Sequence, residues 1–198
     1  PTHLQLFKKC KTLLVSPYNT RSFFVEKIKN EIKLLKAGKP AGCIIKLNSL
    51  TDIKLIDEIY NAASAGLDLK MIVRGICTAH TENKKWPGPI HAISIVDQYL
   101  EHARIFYFKN GGKEDIFISS ADWMVRNLDY RIEATTPVFD ADIKEELKHI
   151  LDIQLAENEK ARMLDNQQLN KYVPRGIREK HIRSQVSIYN YLRAKKYS

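Results

Sequence analysis

The chain has 198 residues, 44% of them hydrophobic and 28% charged, with no apolar run near the ~18 residues of a membrane-spanning helix and no secretory leader. Thirty-two basic against 23 acidic residues leave a net charge of +9, which predicts attraction to polyanions such as nucleotides, polyphosphate, nucleic acid or an anionic membrane surface. Cys10, Cys43 and Cys77 are far apart and form no C-x-x-C pair, which argues against a disulfide framework and a cysteine zinc site and favours a reducing, cytoplasmic compartment.

The predicted elements follow in chain order. Thr2 to Val15 is weakly patterned and basic at Lys8, Lys9 and Lys11, and residues 1–20 read as a lead-in segment. The start at Pro1, without Met, reads as a piece of a longer protein. A helix is predicted from about Arg21 to Ala37, with Phe24, Ile28, Ile32 and Leu35 on one face and Gly38 with Pro40 stopping it. Cys43–Leu47 is a short strand, and Thr51 or Asp52 caps a second helix carrying Ile56, Ile59, Tyr60 and Ala63. Leu69–Val73 is the next strand, closed by Arg74-Gly75, so strand, helix and strand make a βαβ unit with parallel strands.

Cys77 to Pro89 is a polar loop ending in Trp86-Pro87-Gly88-Pro89, a lid or subunit contact. Ser94 followed by Asp97 resembles a capping box, which predicts a short helix ending near His102. Arg104–Phe108 and Asp115–Ser119 are β-branched and aromatic, and Asn110-Gly111-Gly112 turns between them. Tyr130 to Thr136 reads as a further strand stopped by Pro137, and an Asp140-capped helix carries Ile143, Leu147, Ile150 and Leu151. Glu157 to Gly176 loses periodicity and reads as a connector. A basic last helix is predicted from about Arg178 to Ala194, carrying Lys180, Arg183 and Arg193, with Ile182, Val186 and Tyr189 on one stripe. In domain terms, residues 21–156 form the main α/β unit, and residues 157–198 are a connector and helix packed on it.

The densest set of phosphate-gripping groups lies between Ile90 and Glu133: His91, His102, Arg104, Asn110, Ser119, Ser120, Arg126, Asn127 and Arg131. Arg74 ends a parallel strand at the edge where open α/β sheets bind ligands, and a guanidinium matches phosphate in a bidentate way. The competing reading pairs it with a surface carboxylate. His102, at a helix end, would suit a phosphate contact or a proton donor, or would simply be solvated. Arg131, in a half-buried strand, needs a partner: a bound anion, or Asp129 or Glu133. Ser119-Ser120 suits either a phosphate or a turn cap, and Trp123 reads as core. The G-x-x-x-x-G-K-[ST] and G-x-G-x-x-G loops and the protein-kinase signatures are absent.

Several spaced blocks carry a family resemblance. SIVDQYLEH, NGG and ISSADWMVRNLDYRIE, with VSPYNTR near the start and YVPRG near the end, resemble the C-terminal half of the bacterial polyphosphate kinases of the phospholipase D-like type. The resemblance implies a phospholipase D-like α/β domain, a mixed sheet flanked by helices with an additional C-terminal helix. It implies a part in the reversible transfer of the terminal phosphate of ATP onto inorganic polyphosphate through a phosphohistidine. By the same resemblance Arg74 and His102 match nucleotide-phosphate contacts, and Arg131 faces the transferred phosphate. The nucleophilic histidine of an H-x-K motif, the magnesium ligands and the adenine-stacking residues fall in the preceding domain. This chain has no H-x-K; His102-Ala103-Arg104 and His181-Ile182-Arg183 put Arg where Lys belongs. The expectation is therefore half of a shared site, inactive alone, with ATP/ADP and polyphosphate as ligands. No metal ligands are expected in this chain, and its partners are the preceding domains of the same enzyme in a homo-oligomer. A peripheral membrane association is a second expectation for its location. The alternative functions are a polyanion or RNA-binding module using the basic last helix, a phospholipase D-type phosphodiesterase, and a dimerisation domain.

Overall fold

A computed structural model describes residue 10 and residues 12–195, so the basic positions Lys8, Lys9 and Lys11 of the lead-in lie outside it. An eight-stranded mixed sheet runs in the order β1-β7-β6-β5-β2-β3-β4-β8. Its strands are β1 (Leu14–Ser16), β2 (Cys43–Leu47), β3 (Leu69–Val73), β4 (His91–Ile95), β5 (Arg104–Phe108), β6 (Asp115–Ser119), β7 (Glu133–Val138) and β8 (Ala161–Met163). The helices are α1 (Thr20–Lys36), α2 (Ile53–Ser64), α3 (Ala141–Leu155) and α4 (Ser184–Ala194). β2, β3 and β4 are parallel, and β5, β6 and β7 continue from β2 as an antiparallel meander.

The period-two alternation of the strands divides the core between two faces. Ile45, Leu47, Met71, Val73, Phe106, Phe108 and Phe117 point to the face covered by α1 and α2, with Phe24, Ile28, Leu55 and Ile59. Ile44, Ile72, Ile93, Ile105, Tyr107 and Ile116 point to the other face, under Leu151 of α3. Trp123, which follows β6, is fully buried in the first layer, its ring stacked on Phe106 at 5.1 Å and tilted on Phe24 at 5.3 Å. The predicted α1, β2, α2, β3, the hairpin and α3 form with nearly the expected bounds, and Asp52 and Asp140 cap α2 and α3 through the N–H groups of Leu55 and Ile143.

Four expectations are corrected. Ser94 and Asp97 do not open a helix: residues 91–95 are strand β4, and 96–103 have no regular structure. A strand buried on both faces shows no clean alternation, so the apolar run was open to a helical reading. The Ser94 Oγ donates instead to the Arg74 carbonyl at 2.9 Å, and Asp97 is held by Arg183. Next, Tyr130 is not in a strand: Arg126–Tyr130 form a π-helical turn, and β7 runs from Glu133 through Pro137 to Val138. β1 has ended at Leu14↔Thr135, so beyond Thr135 β7 is an edge on that side, where proline is tolerated. Third, the 157–176 connector contains β8, paired antiparallel with β4. Finally, α4 begins at Ser184, so Arg178, Lys180 and Arg183 precede the helix and do not form one basic helical face.

Because Trp123 fills the layer between α1 and the sheet, Trp123→Ala should lower stability by about 3–5 kcal/mol. Trp86→Ala, a half-exposed ring against Tyr60, should cost much less. Urea unfolding of both variants, read as midpoint shifts at constant slope, checks the contrast.

Candidate phosphate-binding edge

The carboxyl ends of β2, β3 and β4 lie at one edge of the sheet. Because β5 and β7 run antiparallel to their neighbours, Arg104 and Glu133 start at the same edge where Ser119 ends β6. The topology therefore gathers Asn48, Arg74, Asp97, His102, Arg104 and Asp122 there, the site an open α/β sheet offers a ligand.

At its centre is Asp122, a buried carboxylate that the sequence reading did not single out. Its Oδ1 accepts from the backbone N–H of Asn48 at 2.8 Å and of Ser49 at 3.1 Å, and from Arg104 Nε at 3.2 Å; its Oδ2 accepts from Arg104 Nη2 at 2.9 Å. Burial works to raise the Asp122 carboxyl, but the Arg104 guanidinium and the two N–H groups outweigh it and hold the group below the usual carboxylate range. The signal available in the sequence was an acidic residue inside Ser-Ser-Ala-Asp-Trp, between a strand and a core tryptophan.

From this hub two arms run outward. Arg104 Nη1 donates to the His102 carbonyl at 3.0 Å, and its Nη2 lies 3.3 Å from His102 Nε2. A guanidinium can only donate, so Nε2 is the acceptor and the proton of the neutral ring sits on Nδ1. His102 is exposed and ends no helix, so the dipole argument for its charge falls away. On the other arm, Asn48 Oδ1 accepts from Arg74 Nε at 3.0 Å. No carboxylate pairs with Arg74 among the described residues, so its two Nη groups stay uncommitted. Gly75 follows because a Cβ there would stand 3.0 Å from the Asn48 carbonyl oxygen, which already accepts the Gly75 N–H at 2.7 Å. The glycine serves that close approach of two strand ends.

The remaining candidates are spread along the edge. Arg131 is exposed, and both carboxylates proposed for it are taken elsewhere. Asp129 pairs with Arg21 at 2.5 and 2.7 Å, and Glu133 accepts from Asn127 and Ser120. Arg131 and Arg126 have no hydrogen-bond or ion-pair partner among the described residues. β7 is four strand spacings from β3, roughly 19 Å at ~4.8 Å each, so Arg131 stands along the edge from Arg74. The Ser119 hydroxyl is shared with Thr135 at 2.6 Å and Ser120 with Glu133, so both hydroxyls are engaged within the fold. Asn110 binds Asp115 at the opposite end of the hairpin, and His91 begins β4 far from the edge.

The comparisons with known proteins agree on what this arrangement resembles. Residues 13–185 match the family model "Polyphosphate kinase C-terminal domain 2". The chain is 44% identical over 182 residues to polyphosphate kinase of Escherichia coli K12, covering 92% of this chain and 26% of that relative. It is 45% identical over 185 residues to polyphosphate kinase of Vibrio vulnificus YJ016, covering 93% and 26%. Against the crystal structure of polyphosphate kinase from Porphyromonas gingivalis the TM-score is 0.89 at 42% identity, over 94% of this chain and 28% of that one. A phospholipase D family member, Nuc from Salmonella typhimurium, matches with a TM-score of 0.56 at 11% identity over 78% of this chain and 99% of its own, a likeness of fold alone. The phospholipase D-like α/β fold is thus present. The chain spans about a quarter of the length of the curated relatives it matches.

Removing the hub charge should loosen both arms. Asp122→Asn should cost about 3 kcal/mol at neutral pH, because the half-buried Arg104 loses its counter-charge. The folded-state carboxyl is depressed, so its contribution is complete above the ordinary carboxylate value of ~3.9 and is lost as pH falls through the lower folded value. Urea melts at pH 7 and pH 3 should therefore show the gap between wild type and Asp122→Asn closing on the acid side.

Proposed function

The chain belongs to the polyphosphate kinase family as its second C-terminal domain, and from that premise we propose that it supplies one half of a phosphoryl-transfer site. In this reading the complete enzyme moves the terminal phosphate of ATP reversibly onto inorganic polyphosphate. The covalent carrier, a phosphohistidine, is provided by the preceding domain. The observation that supports it is Arg74: its Nε is fixed by a neutral amide, Asn48, while the outer fork carries no counter-ion among the described residues.

Phosphoryl transfer passes through a loose transition state with charge spread over the equatorial oxygens, so it asks for positioned positive charge more than for covalent help. Arg74 offers two parallel N–H donors to those oxygens. His102, with Nε2 engaged by Arg104, has Nδ1–H left to donate to a phosphoryl oxygen or a leaving oxygen. Arg131, displaced along the edge, would meet a different phosphate of an extended ligand. Arg126 stands in the same exposed turn region. Magnesium would neutralise the transferring group, with its ligands expected, by the family resemblance, in the preceding domain. The alternative of an RNA-binding module on a basic last helix loses support, since Arg183 is spent on Asp97 and the other basic positions before Ser184 are not helical.

Arg74→Ala should weaken binding of ATP or tripolyphosphate at least ~10-fold, the scale of one lost hydrogen bond to a charged group, while Lys36→Ala, an exposed lysine on α1, should change it less than ~2-fold. Calorimetric titration reads this directly, and equal losses would indicate diffuse electrostatics instead. Incubation of the chain with γ-labelled ATP and magnesium should leave no acid-labile phosphate on it. Label that disappears with His102→Ala would place the nucleophile in this half.

A further inference from the structure

A cavity begins at Gly75, the residue that follows Arg74. It measures about 480 Å³ and lies beyond the carboxyl ends of β3 and β4, under the 162–170 segment, with Gly75, Ser94 and Arg162 among its lining. That volume is within the roughly 300–1,000 Å³ of small-molecule sites. Ser94 links it to the phosphate-binding edge: its hydroxyl donates to the Arg74 carbonyl at 2.9 Å, and it is the cross-strand partner of Arg162 on β8. Ser94 therefore meets the backbone of both arginine-bearing segments.

Arg162 is built to hold its position. Its Cζ lies 3.3 Å from the centroid of the Tyr172 ring, and Nη1 donates to the Asn170 carbonyl at 2.8 Å. Backbone pairing of Met163 N–H with Lys171 O at 2.8 Å and Val173 N–H with Ala161 O at 3.0 Å fixes the segment that carries the ring. Nε and Nη2 make no hydrogen bond or ion pair among the described residues. The acidic side chain in the lining, Asp165, is turned to its own loop, accepting from Gln167 N–H at 2.8 Å and from Leu169 N–H at 3.2 Å. Burial pushes the Cys77 thiol up, so that wall adds no negative charge. A stacked, half-buried guanidinium in the lining of this cavity has N–H donors free for an anion.

We propose that this cavity is a second phosphate subsite, in which Arg162 grips the polyphosphate chain at a phosphate beyond the one held by Arg74. The inference rests on the transferase reading above and adds to it the residue that distinguishes an extended polyphosphate from a short phosphate ester. Nucleic acid is the other long polyanion. It needs exposed aromatic faces for its bases, and one face of the Tyr172 ring is covered by Arg162.

The test is titration of the chain with tripolyphosphate, with a linear polyphosphate long enough to span both arginines, and with single-stranded oligothymidylate. Arg162→Gln should weaken the long polyphosphate at least ~10-fold, leave tripolyphosphate within ~2-fold, and lower the salt slope of long-chain binding by about one phosphate contact. Arg74→Ala should weaken both phosphates. Tyr172→Leu, which removes the stacking platform and keeps the charge, should reproduce part of the long-chain loss, and circular dichroism confirms that each variant is folded. Equal effects of Arg162→Gln on short and long ligands, or no effect on either, would overturn the subsite while leaving the Arg74 reading intact. Wild-type chain that binds neither phosphate would overturn the transferase reading itself. A preference for oligothymidylate that Arg162→Gln abolishes would assign the cavity to nucleic acid.

Discussion

The architecture of the site depends on one buried carboxylate. Asp122 draws the exit of β2 to it through the N–H groups of Asn48 and Ser49, and the start of β5 through the Arg104 guanidinium. A carboxylate removed from water needs that many donors; leaving any of them out would cost more than the pairing returns. Its neighbour Trp123 completes the staple. The ring seals the core, and its carbonyl accepts the N–H groups of Thr51 and Asp52 at 2.8 and 2.9 Å. Two adjacent residues thereby fix the 48–52 loop, and that loop positions Arg74 through Asn48 and α2 through Asp52.

Charge is distributed by the same logic. Many of the basic side chains are spent on structure: Arg21 bridges Asp52 and Asp129, Lys46 is buried against Glu101 at 2.9 Å, and Arg183 forks onto Asp97 at 2.7 and 2.8 Å. Arg74, Arg131 and Arg162 are different, because their positive charge meets no carboxylate among the described residues. Their placement along several strand ends suits an extended anion better than a compact one. A net charge of +9 describes the attraction; only the pairing pattern tells which cations are left to exert it.

Asn48 illustrates how the backbone constrains the chemistry. Its side-chain oxygen serves Arg74 and its backbone carbonyl accepts from Gly75, so the two strand ends approach until no Cβ fits at Gly75. Its Nδ2 is buried without a partner among the described residues. The amide is thus aimed by its acceptor, and the guanidinium it holds is presented with a fixed direction at little conformational freedom.

How much of this was legible follows from range. Helical and strand periodicity depend on residues a few positions apart, and so α1, α2, α3, the parallel pair β2–β3 and the hairpin of β5 and β6 could be read directly. The spaced sequence blocks carried the family, and the strand-end position of Arg74 followed from the βαβ pattern. What failed were segments whose state is decided by partners distant in the chain. The 91–95 run becomes a strand because β3 and β8 pair with it on both sides. The start of α4 is set where Glu157, 27 positions earlier, accepts the Ser184 N–H. The sequence alone determined which residue types stood ready at the strand ends. Only the tertiary structure decided which of them were consumed, because a carboxylate such as Asp122 or Asp129 chooses its cation by proximity across the sheet, and proximity across 18 or 108 residues leaves no local trace.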